Sequence, residues 1–255
     1  MNPEIKFLPD AQAVARHAAE QFVQIAQESI ASRGRFTVAL SGGSTPRALH
    51  LLLSSDEFRS QVDWSKVHIF FGDERAVPLS HEYSNGKMAQ ESLLDLVPIP
   101  NENIHFMRGD ATPLEDGAKE YGLLIQEFGT SLDLIFLGMG DDGHTASLFP
   151  HSPQIHEPKH RCVATPISPT QPQLPRLTLT FPAINAARNI IVMCAGSSKA
   201  ARMKDVWPHL QSSTRNLEDL PITAVLPTDG MLTWLLDEAA MAKTTKVETT
   251  VAKTI

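Results

Sequence analysis

One histidine of the chain stands where a proton-transfer group would be useful. The segment GMGDDGH, residues 138–144, ends in His144 and carries Asp141 and Asp142 just before it. A carboxylate that holds one ring nitrogen of a histidine leaves the other nitrogen free to act as a general base near neutral pH. His144 is therefore the candidate base, although a lone histidine is more often structural than catalytic.

The glycines of this segment also match a dinucleotide-binding pattern. Gly138, Gly140 and Gly143 fit G-x-G-x-x-G. However, the two aspartates would present negative charge to a pyrophosphate, and the following HTASLFPHSP is too short and too rich in proline to form the helix that such a loop needs. The segment is therefore not interpreted as a dinucleotide site.

Two other segments have the composition of an anion-binding turn. In SGGSTPR, Thr45 could cap a helix that begins at the following proline. In GSSK, one of the two serines could cap the helix that follows that segment. Each segment has a cation, Arg47 or Lys199, in the first helical turn, where the helix dipole disfavours it by up to about 1 kcal/mol unless an anion is nearby. The repetition favours a shared phosphate; side chains that bend into solvent are the alternative. The turn residues predicted to bind phosphate with these cations are Ser41, Gly42, Gly43, Ser44 and Thr45.

A third charged segment follows the apolar run VHIFF. There GDER places Asp73, Glu74 and Arg75 in succession. An isolated group of this kind is usually a surface ion pair worth about 0–1 kcal/mol. Ligands of open α/β sheets bind beyond the carboxyl ends of the strands, so the position of these residues favours a functional interpretation.

The three histidines that follow in the next loop and the two cysteines do not form a recognisable site. His151, His156 and His160 follow at irregular spacing, without an HExxH motif or a cysteine partner, so no metal is predicted. Cys162 and Cys194 belong to no CxxC motif, and there is no G-x-S-x-G segment to supply a nucleophilic serine. The chemistry that remains is an activated water or a direct proton transfer.

The elements that must position these residues alternate along the chain. Apolar and β-branched runs predict strands, helical spacing of apolar residues predicts helices, and two shorter strands flank a proline-rich turn. The alternation predicts an α/β fold with a mostly parallel open sheet and helices on both faces. The predicted strands are 35–41, 67–75, 132–138, 161–167, 176–182 and 189–196, and the predicted helices are 10–33, 46–53, 84–94, 112–128 and 197–207.

Length and composition limit the classes of protein. The chain has 255 residues, of which 42% are hydrophobic and 20% charged, as expected of an ordinary globular protein and not of a disordered one. We expect one α/β domain over 1–255, with about 242–255 as a loose tail. The formal net charge of −7 argues against nucleic-acid or membrane-surface partners. With no leader-like segment, no long apolar run and no paired cysteines, we expect a cytoplasmic protein.

Taken in order, five segments resemble those of a known family. SGGSTP, GDER, GMGDDGHTASLFP, PRLTLTFPAIN and GSSKA together resemble the 6-phosphogluconolactonases, which are grouped with the glucosamine-6-phosphate deaminases and share a fold with ribose-5-phosphate isomerase. The resemblance runs from about Phe36 to about Lys204. It implies hydrolysis of 6-phosphoglucono-δ-lactone to 6-phosphogluconate, in the oxidative pentose phosphate pathway, without a metal or cofactor.

The resemblance also implies roles for individual residues. The 6-phosphate would bind the turn at 41–45 with Arg47 and Lys199. His144 would activate the water, and either Asp142 or Asp73 would orient the imidazole or the water. Arg75 and Arg176 could stabilise the oxyanion that develops on the lactone carbonyl. We expect a small phosphorylated lactone as the partner, and a monomer or homodimer.

Two alternatives to this function remain. In a deaminase or isomerase the histidine is followed by I-A-F-N-E-P, and here Phe149 occupies the place of that glutamate, although Asp73 is retained. An apolar ring cannot relay a proton, so this difference favours the lactonase. A sugar-phosphate-binding regulator without catalytic activity would usually carry a DNA-binding module, and the sequence shows no helix-turn-helix or basic segment.

Overall fold

Two β-sheets organise the chain in a computed structural model, which describes residues 3–129, 131–212 and 214–244. The strands are β1 (Glu4–Leu8), β2 (Phe36–Leu40), β3 (Val67–Phe71), β4 (Asp73–Arg75), β5 (Leu134–Leu137), β6 (Cys162–Thr165), β7 (Arg176–Leu179), β8 (Asn189–Cys194) and β9 (Met231–Asp237). The helices are α1 (Ala11–Arg33), α2 (Ser44–Leu53), α3 (Asp56–Arg59), α4 (Asn85–Ser92), α5 (Leu114–Glu127), α6 (Phe181–Ile184) and α7 (Ala200–Gln211).

The larger sheet is open and entirely parallel. Its six strands lie in the order β1-β9-β8-β5-β2-β3, and each neighbouring pair runs in the same direction. Every residue of β2 and β5 is buried, so both faces of the sheet are covered at its centre, as apolar runs without alternation indicate. The predicted α/β class with a mostly parallel sheet is confirmed. The edge strand β1 and strand β9 were not predicted.

The smaller sheet is antiparallel, with the order β4-β7-β6. The prediction of one strand over 67–75 is wrong, because the chain leaves the large sheet at Gly72 and enters the small one at Asp73. The Gly72 N–H donates to Leu40 O at 2.8 Å, and the Leu179 N–H donates to Gly72 O at 2.8 Å. Gly72 therefore joins the two sheets, and charged residues of β4 and β7 reach the same region as the ends of the parallel strands.

Helix ends follow local chemistry. Asp10 caps α1 by accepting from Ala13 N at 2.8 Å, and Gly34 ends the helix with a φ of 74°. The prediction that Thr45 caps α2 is wrong: the helix begins at Ser44, two residues before the predicted start, after Gly43 with a φ of 105° and without a side-chain cap. Helix α7 also continues past Pro208 to Gln211, and not, as predicted, to Trp207.

The end of the described chain is ordered by a turn. Thr244 is buried, and its N–H donates to Met241 O at 2.9 Å. The predicted loose tail over 242–255 therefore lies largely outside the described residues, which stop at 244. Within the described part of the chain, none of the helices has the length and apolar character needed to span a bilayer.

Candidate active site

The four charged or glycine-rich segments meet at one cavity of about 430 Å³. It lies beyond the carboxyl ends of β2, β5 and β8, with strands β4 and β7 along one side. Because the carboxyl ends of parallel strands lie at the same edge of a sheet, residues far apart in sequence converge there. The sequence-predicted residues that line the cavity are Ser41, Gly42, Gly43, Asp73, Arg75, His144, Arg176 and Lys199.

His144 and Asp142 form a close pair at this cavity. Asp142 Oδ1 lies 2.5 Å from His144 Nδ1 and also accepts the His144 backbone N–H at 3.0 Å. Burial alone would raise the pKa of Asp142, but the hydrogen bonds and positive charge of His144 outweigh it and lower that pKa. A carboxylate held in the ionised form fixes Nδ1 as the protonated nitrogen, which leaves Nε2 as the basic atom.

Asp73 has other partners. Its Oδ2 accepts from Ser147 Oγ at 2.5 Å, and its Oδ1 accepts from Asn85 Nδ2 at 3.0 Å. Arg176 Nη1 lies 3.9 Å from Oδ2. The structure therefore places Asp142, and not Asp73, against the imidazole, and Asp73 lies beside the arginines.

Arg75 and Arg176 stand directly opposite each other in the antiparallel ladder. Arg176 is only 4% exposed, and the Nε atoms of both arginines are buried without a hydrogen-bond partner among the described residues. The pKa of Arg176 is lowered, first by burial, with Asp73 opposing the effect and Arg75 adding to it. Two like charges at a cross-strand pair are unfavourable without an anion, so this pair favours a negatively charged ligand.

Lys199 reaches the cavity from the turn before α7. Its Nζ forms an ion pair with Asp141 Oδ1 at 2.7 Å. The turn begins at Gly196, whose φ is 95° and which provides no side-chain cap. The prediction that a serine caps this helix is therefore wrong, but the predicted cation is in place, with a carboxylate partner that a ligand would have to replace.

The turn after β2 is placed only in part as predicted. Ser41, Gly42 and Gly43 line the cavity, whereas Ser44 and Thr45 belong to the first turn of α2 and are not among the lining residues. Arg47 is exposed and does not line the cavity either. Its assignment to phosphate binding stays a prediction.

Asn85 is the main site residue that the sequence analysis missed. Its amide donates to the Asp73 carboxylate, and its oxygen accepts from Arg75 Nη1. Glu74, which is 3% exposed, positions the start of α4 by accepting from Asn85 N at 2.8 Å and Gly86 N at 2.8 Å. Burial raises the pKa of Glu74, against the effect of these hydrogen bonds. The only signal in the sequence was Ser84, a helix-capping residue just before Asn85.

Two loop residues also line the cavity, and an aromatic ring packs against its histidine. Thr170 and Gln171, from the loop between β6 and β7, line it as well. The Phe149 ring centroid lies 4.7 Å from that of His144, so an aromatic ring packs against the base. Among the described residues no group of three His, Cys, Asp or Glu side chains could hold a metal ion.

Comparisons of sequence and structure agree on the family. The model of the family described as glucosamine-6-phosphate isomerases/6-phosphogluconolactonase matches residues 9–234. A 6-phosphogluconolactonase of Synechocystis sp. is 37% identical over 94% of this chain and 98% of its own. One of Nostoc sp. is 37% identical over 95% of this chain and 99% of its own.

Solved structures are similar over nearly the whole chain. The 6-phosphogluconolactonase of Trypanosoma cruzi superposes with a TM-score of 0.81 and 26% identity, over 96% of this chain and 97% of its own. A monomeric glucosamine-6-phosphate deaminase has a TM-score of 0.80 at 18% identity, over 94% of this chain and 99% of its own, which shows a shared fold. With a matching family model and relatives of 37% identity, the chain belongs to the glucosamine-6-phosphate isomerase/6-phosphogluconolactonase family.

Proposed function

We propose that the protein hydrolyses 6-phosphoglucono-δ-lactone to 6-phosphogluconate, in the oxidative pentose phosphate pathway. The names of its relatives and structural neighbours support this activity. The observation that carries the mechanism is the His144–Asp142 pair, which faces a cavity that also holds two arginines and a lysine. This arrangement combines a general base with positive charge for an oxyanion and for a phosphate.

In the proposed reaction, Nε2 of His144 takes a proton from water as the water oxygen forms a bond to the lactone C1. The C1 carbonyl oxygen becomes an oxyanion, which Arg75 and Arg176 stabilise. When the bond between C1 and the ring oxygen breaks, His144 returns its proton to the ring oxygen. Asp142 keeps the imidazole oriented throughout and stabilises its charged form. The products are the carboxylic acid and a free hydroxyl, so no other reactant is required.

Asp73 acts on the arginines of the site in this proposal, and it does not orient the catalytic base. Its carboxylate oxygens already accept hydrogen bonds from Ser147 and Asn85, and it lies beside Arg176. A fixed negative charge there keeps Arg176 ionised despite its burial, since an opposite charge favours the charged form. Asp73 therefore serves as a positioning residue in this proposal.

The 6-phosphate would bind the backbone N–H groups of the turn after β2 together with Lys199. Gly42 and Gly43 allow close approach of the main chain, and the start of α2 supplies a favourable dipole. Lys199 would exchange the Asp141 carboxylate for the phosphate. Arg47 is exposed in the first turn of the same helix, where it would add a longer-range attraction.

Lactone hydrolysis measured against the spontaneous background tests the proposal. We expect His144→Ala to lower kcat by about 10²- to 10⁴-fold, the usual contribution of a general base. His151→Ala, at an exposed histidine seven positions further on, is the matched control and should retain wild-type activity. Activity of His144→Ala within a few-fold of wild type would end the general-base assignment.

Deaminase and regulator activities are the alternatives that the same experiments address. Phe149 packs on His144 where the resemblance places the glutamate of deaminases, and it offers no carboxylate for ring opening. We expect no ammonia from glucosamine 6-phosphate in a coupled assay. Binding of 6-phosphogluconate without turnover of the lactone would instead favour a regulator.

The setting of the enzyme is also part of the proposal. We infer a cytoplasmic monomer or homodimer that acts on a small phosphorylated lactone without nucleic-acid or membrane partners. The formal net charge of −7 supports the absence of polyanionic partners. Fractionation of the source cells tests the cytoplasmic location, and sedimentation of the purified protein tests the oligomeric state.

A further inference from the structure

A second charged cavity, of about 380 Å³, lies at the opposite end of the parallel strands. Arg35 directly precedes β2, Asp133 precedes β5, and Arg188 precedes β8. These are the amino ends of the strands, whereas the candidate active site lies at their carboxyl ends. A five-residue strand spans about 16 Å. The two cavities are therefore separate sites on opposite edges of the sheet.

The single carboxylate of this cavity already has its full set of donors. Asp133 Oδ2 accepts from Thr37 N at 2.8 Å and from Thr37 Oγ1 at 3.0 Å. Asp133 Oδ1 accepts from Arg33 Nε at 3.0 Å and lies 2.9 Å from Arg33 Nη2. Arg188 Nε reaches the same oxygen only at 3.5 Å. Asp133 is thus bonded mainly to Arg33 and Thr37.

The positive charge of the cavity exceeds what Asp133 can balance. Arg33, Arg35 and Arg188 all line it, and Asp133 is the only acidic residue among the described lining residues. Three guanidinium groups against one carboxylate leave a local charge of about +2 in a protein whose formal net charge is −7. Repulsion among the arginines is unfavourable, and an anion between them would remove it.

Two of the three arginines, Arg33 and Arg35, are also held in place. Arg35 lies over the Phe128 ring, 5.4 Å from its centroid, and its Nη2 donates to Phe128 O at 2.6 Å. Arg33 is fixed by Asp133 and donates to Ser29 Oγ at 2.7 Å. The fixed guanidinium group of Arg35 therefore needs less ordering when it binds an anion. All three arginines are exposed, so an anion can reach them from solvent.

We propose that this cavity binds a compact anion with two or more negative charges, of the phosphate class. The planar donor fork of arginine matches the oxygens of phosphate and carboxylate groups. Arg35 and Arg188 supply the contacts, while Arg33 stays with Asp133. The site is independent of the proposed lactone site and uses none of its residues.

Calorimetric titration with inorganic pyrophosphate at low ionic strength tests the proposal. The variant Arg35→Gln/Arg188→Gln leaves the Arg33–Asp133 pair intact. Arg108→Gln/Arg215→Gln, at two exposed arginines elsewhere, removes the same charge and is the matched control. Circular dichroism and lactonase activity, which neither variant should change, show that both proteins are folded.

We expect the first variant to bind one equivalent of pyrophosphate fewer than wild type, and the control to bind as wild type does. This difference of one equivalent is expected whether or not pyrophosphate also enters the lactone cavity, so it does not depend on the proposed function. Equal binding by the two variants, including equal loss in both, would overturn the proposal. Citrate titrated in parallel distinguishes the anion classes: stronger binding of citrate than of pyrophosphate at this site would overturn the phosphate assignment.

Discussion

At the scale of single residues, the proposed mechanism depends on the contact between Asp142 and His144. The 2.5 Å separation fixes which imidazole nitrogen carries the proton. We expect Asp142→Asn to lower kcat by about 10²-fold or more with little change in KM, because an amide supports the wrong tautomer and cannot stabilise the charged ring. Asp219→Asn, at an exposed carboxylate, should leave kcat unchanged. Steady-state kinetics with the phosphorylated lactone decide between these outcomes, and an unchanged kcat in Asp142→Asn would contradict the assignment.

A second residue-scale prediction separates the two cations proposed for phosphate binding. Lys199 lines the cavity, whereas Arg47 is exposed outside it. We expect Lys199→Ala to raise KM for the phosphorylated lactone by about 10- to 100-fold, the loss of one charge-assisted hydrogen bond. Arg47→Ala should raise it less, and KM for unphosphorylated gluconolactone should change little in either variant.

Helix α7, which directly follows Lys199, also supplies the control for this comparison. Lys204→Ala removes an exposed cation from α7 and should behave as wild type. Equal effects of Lys199→Ala on both lactones would remove Lys199 from the phosphate site.

Much of the site could be predicted at this scale because strand ends carry their own chemistry. His144, Arg75 and Lys199 each follow an apolar run or a glycine turn that the sequence displays. Asn85 and Ser147 could not be found in this way, because their importance comes from contacts with Asp73. Ser147 is 74 positions from Asp73 in the chain, and no local pattern records such a contact.

At the scale of elements, the turn after β2 depends on the close approach of α4. A Cβ at Gly42 would overlap the side-chain oxygen of Asn85, which accepts from Arg75. We therefore expect Gly42→Ala to displace Asn85 and to lower kcat by at least about tenfold, since small misplacements of catalytic groups are costly. Gly72→Ala is the control, because its Cβ would meet Leu40 O at an ordinary 3.5 Å. Wild-type kcat in Gly42→Ala would show that this contact does not matter.

The contact between α2 and α4 predicts a dependence of stability on pH. His50 is fully buried, and its Nδ1 lies 3.0 Å from Ser92 Oγ. Ser92 Oγ itself donates to Met88 O, so His50 is the donor of this bond. Burial lowers the pKa of His50 from 6.5 to about 4. The unfolded chain therefore binds a proton between pH 6.5 and about 4 that the folded protein does not, and stability falls as pH falls through this range.

A shift of this size corresponds to about 3 kcal/mol. We expect the free energy of unfolding of the wild type to fall by about that much more between pH 7 and 4 than that of His50→Leu. Urea unfolding at several pH values measures the difference. His209→Gln removes a histidine whose ring contacts the Thr214 hydroxyl and forms no ion pair within the described part of the chain, and it should follow the wild-type curve. Parallel curves for wild type and His50→Leu would contradict the assignment.

Elements were predictable where one pattern decided them and not where tertiary contacts did. The long helix α1 has its apolar period, its aspartate cap and its glycine stop within the sequence itself. By contrast, VHIFFGDER has the pattern of one strand, and only the pairing of β4 with β7 divides it at Gly72. Strand β9 was not predicted for the same reason, because it is defined by its pairing with β1 and β8.

At the scale of the whole molecule, product binding should stabilise the fold. A ligand at about 100 times its Kd adds about 2.7 kcal/mol to the stability. For a domain of this length we expect 6-phosphogluconate to raise Tm by about 5–10 °C. Unphosphorylated gluconate should produce a smaller shift, and Lys199→Ala should reduce the shift at the same concentration. A thermal scan with no difference between the two sugars would contradict phosphate recognition.

The division of the site between two sheets has a consequence for how its specificity could change. His144 and Lys199 follow strands of the parallel sheet, whereas Arg176, Thr170 and Gln171 belong to the hairpin of β6 and β7. That hairpin is one continuous segment, attached to the large sheet near Gly72. Exchanging it between relatives would therefore redesign one wall of the cavity in a single step, while the base and the lysine keep their scaffold. The base and the lysine are thus inherited with the large sheet, whereas Arg176 and the wall beside it are inherited with the hairpin.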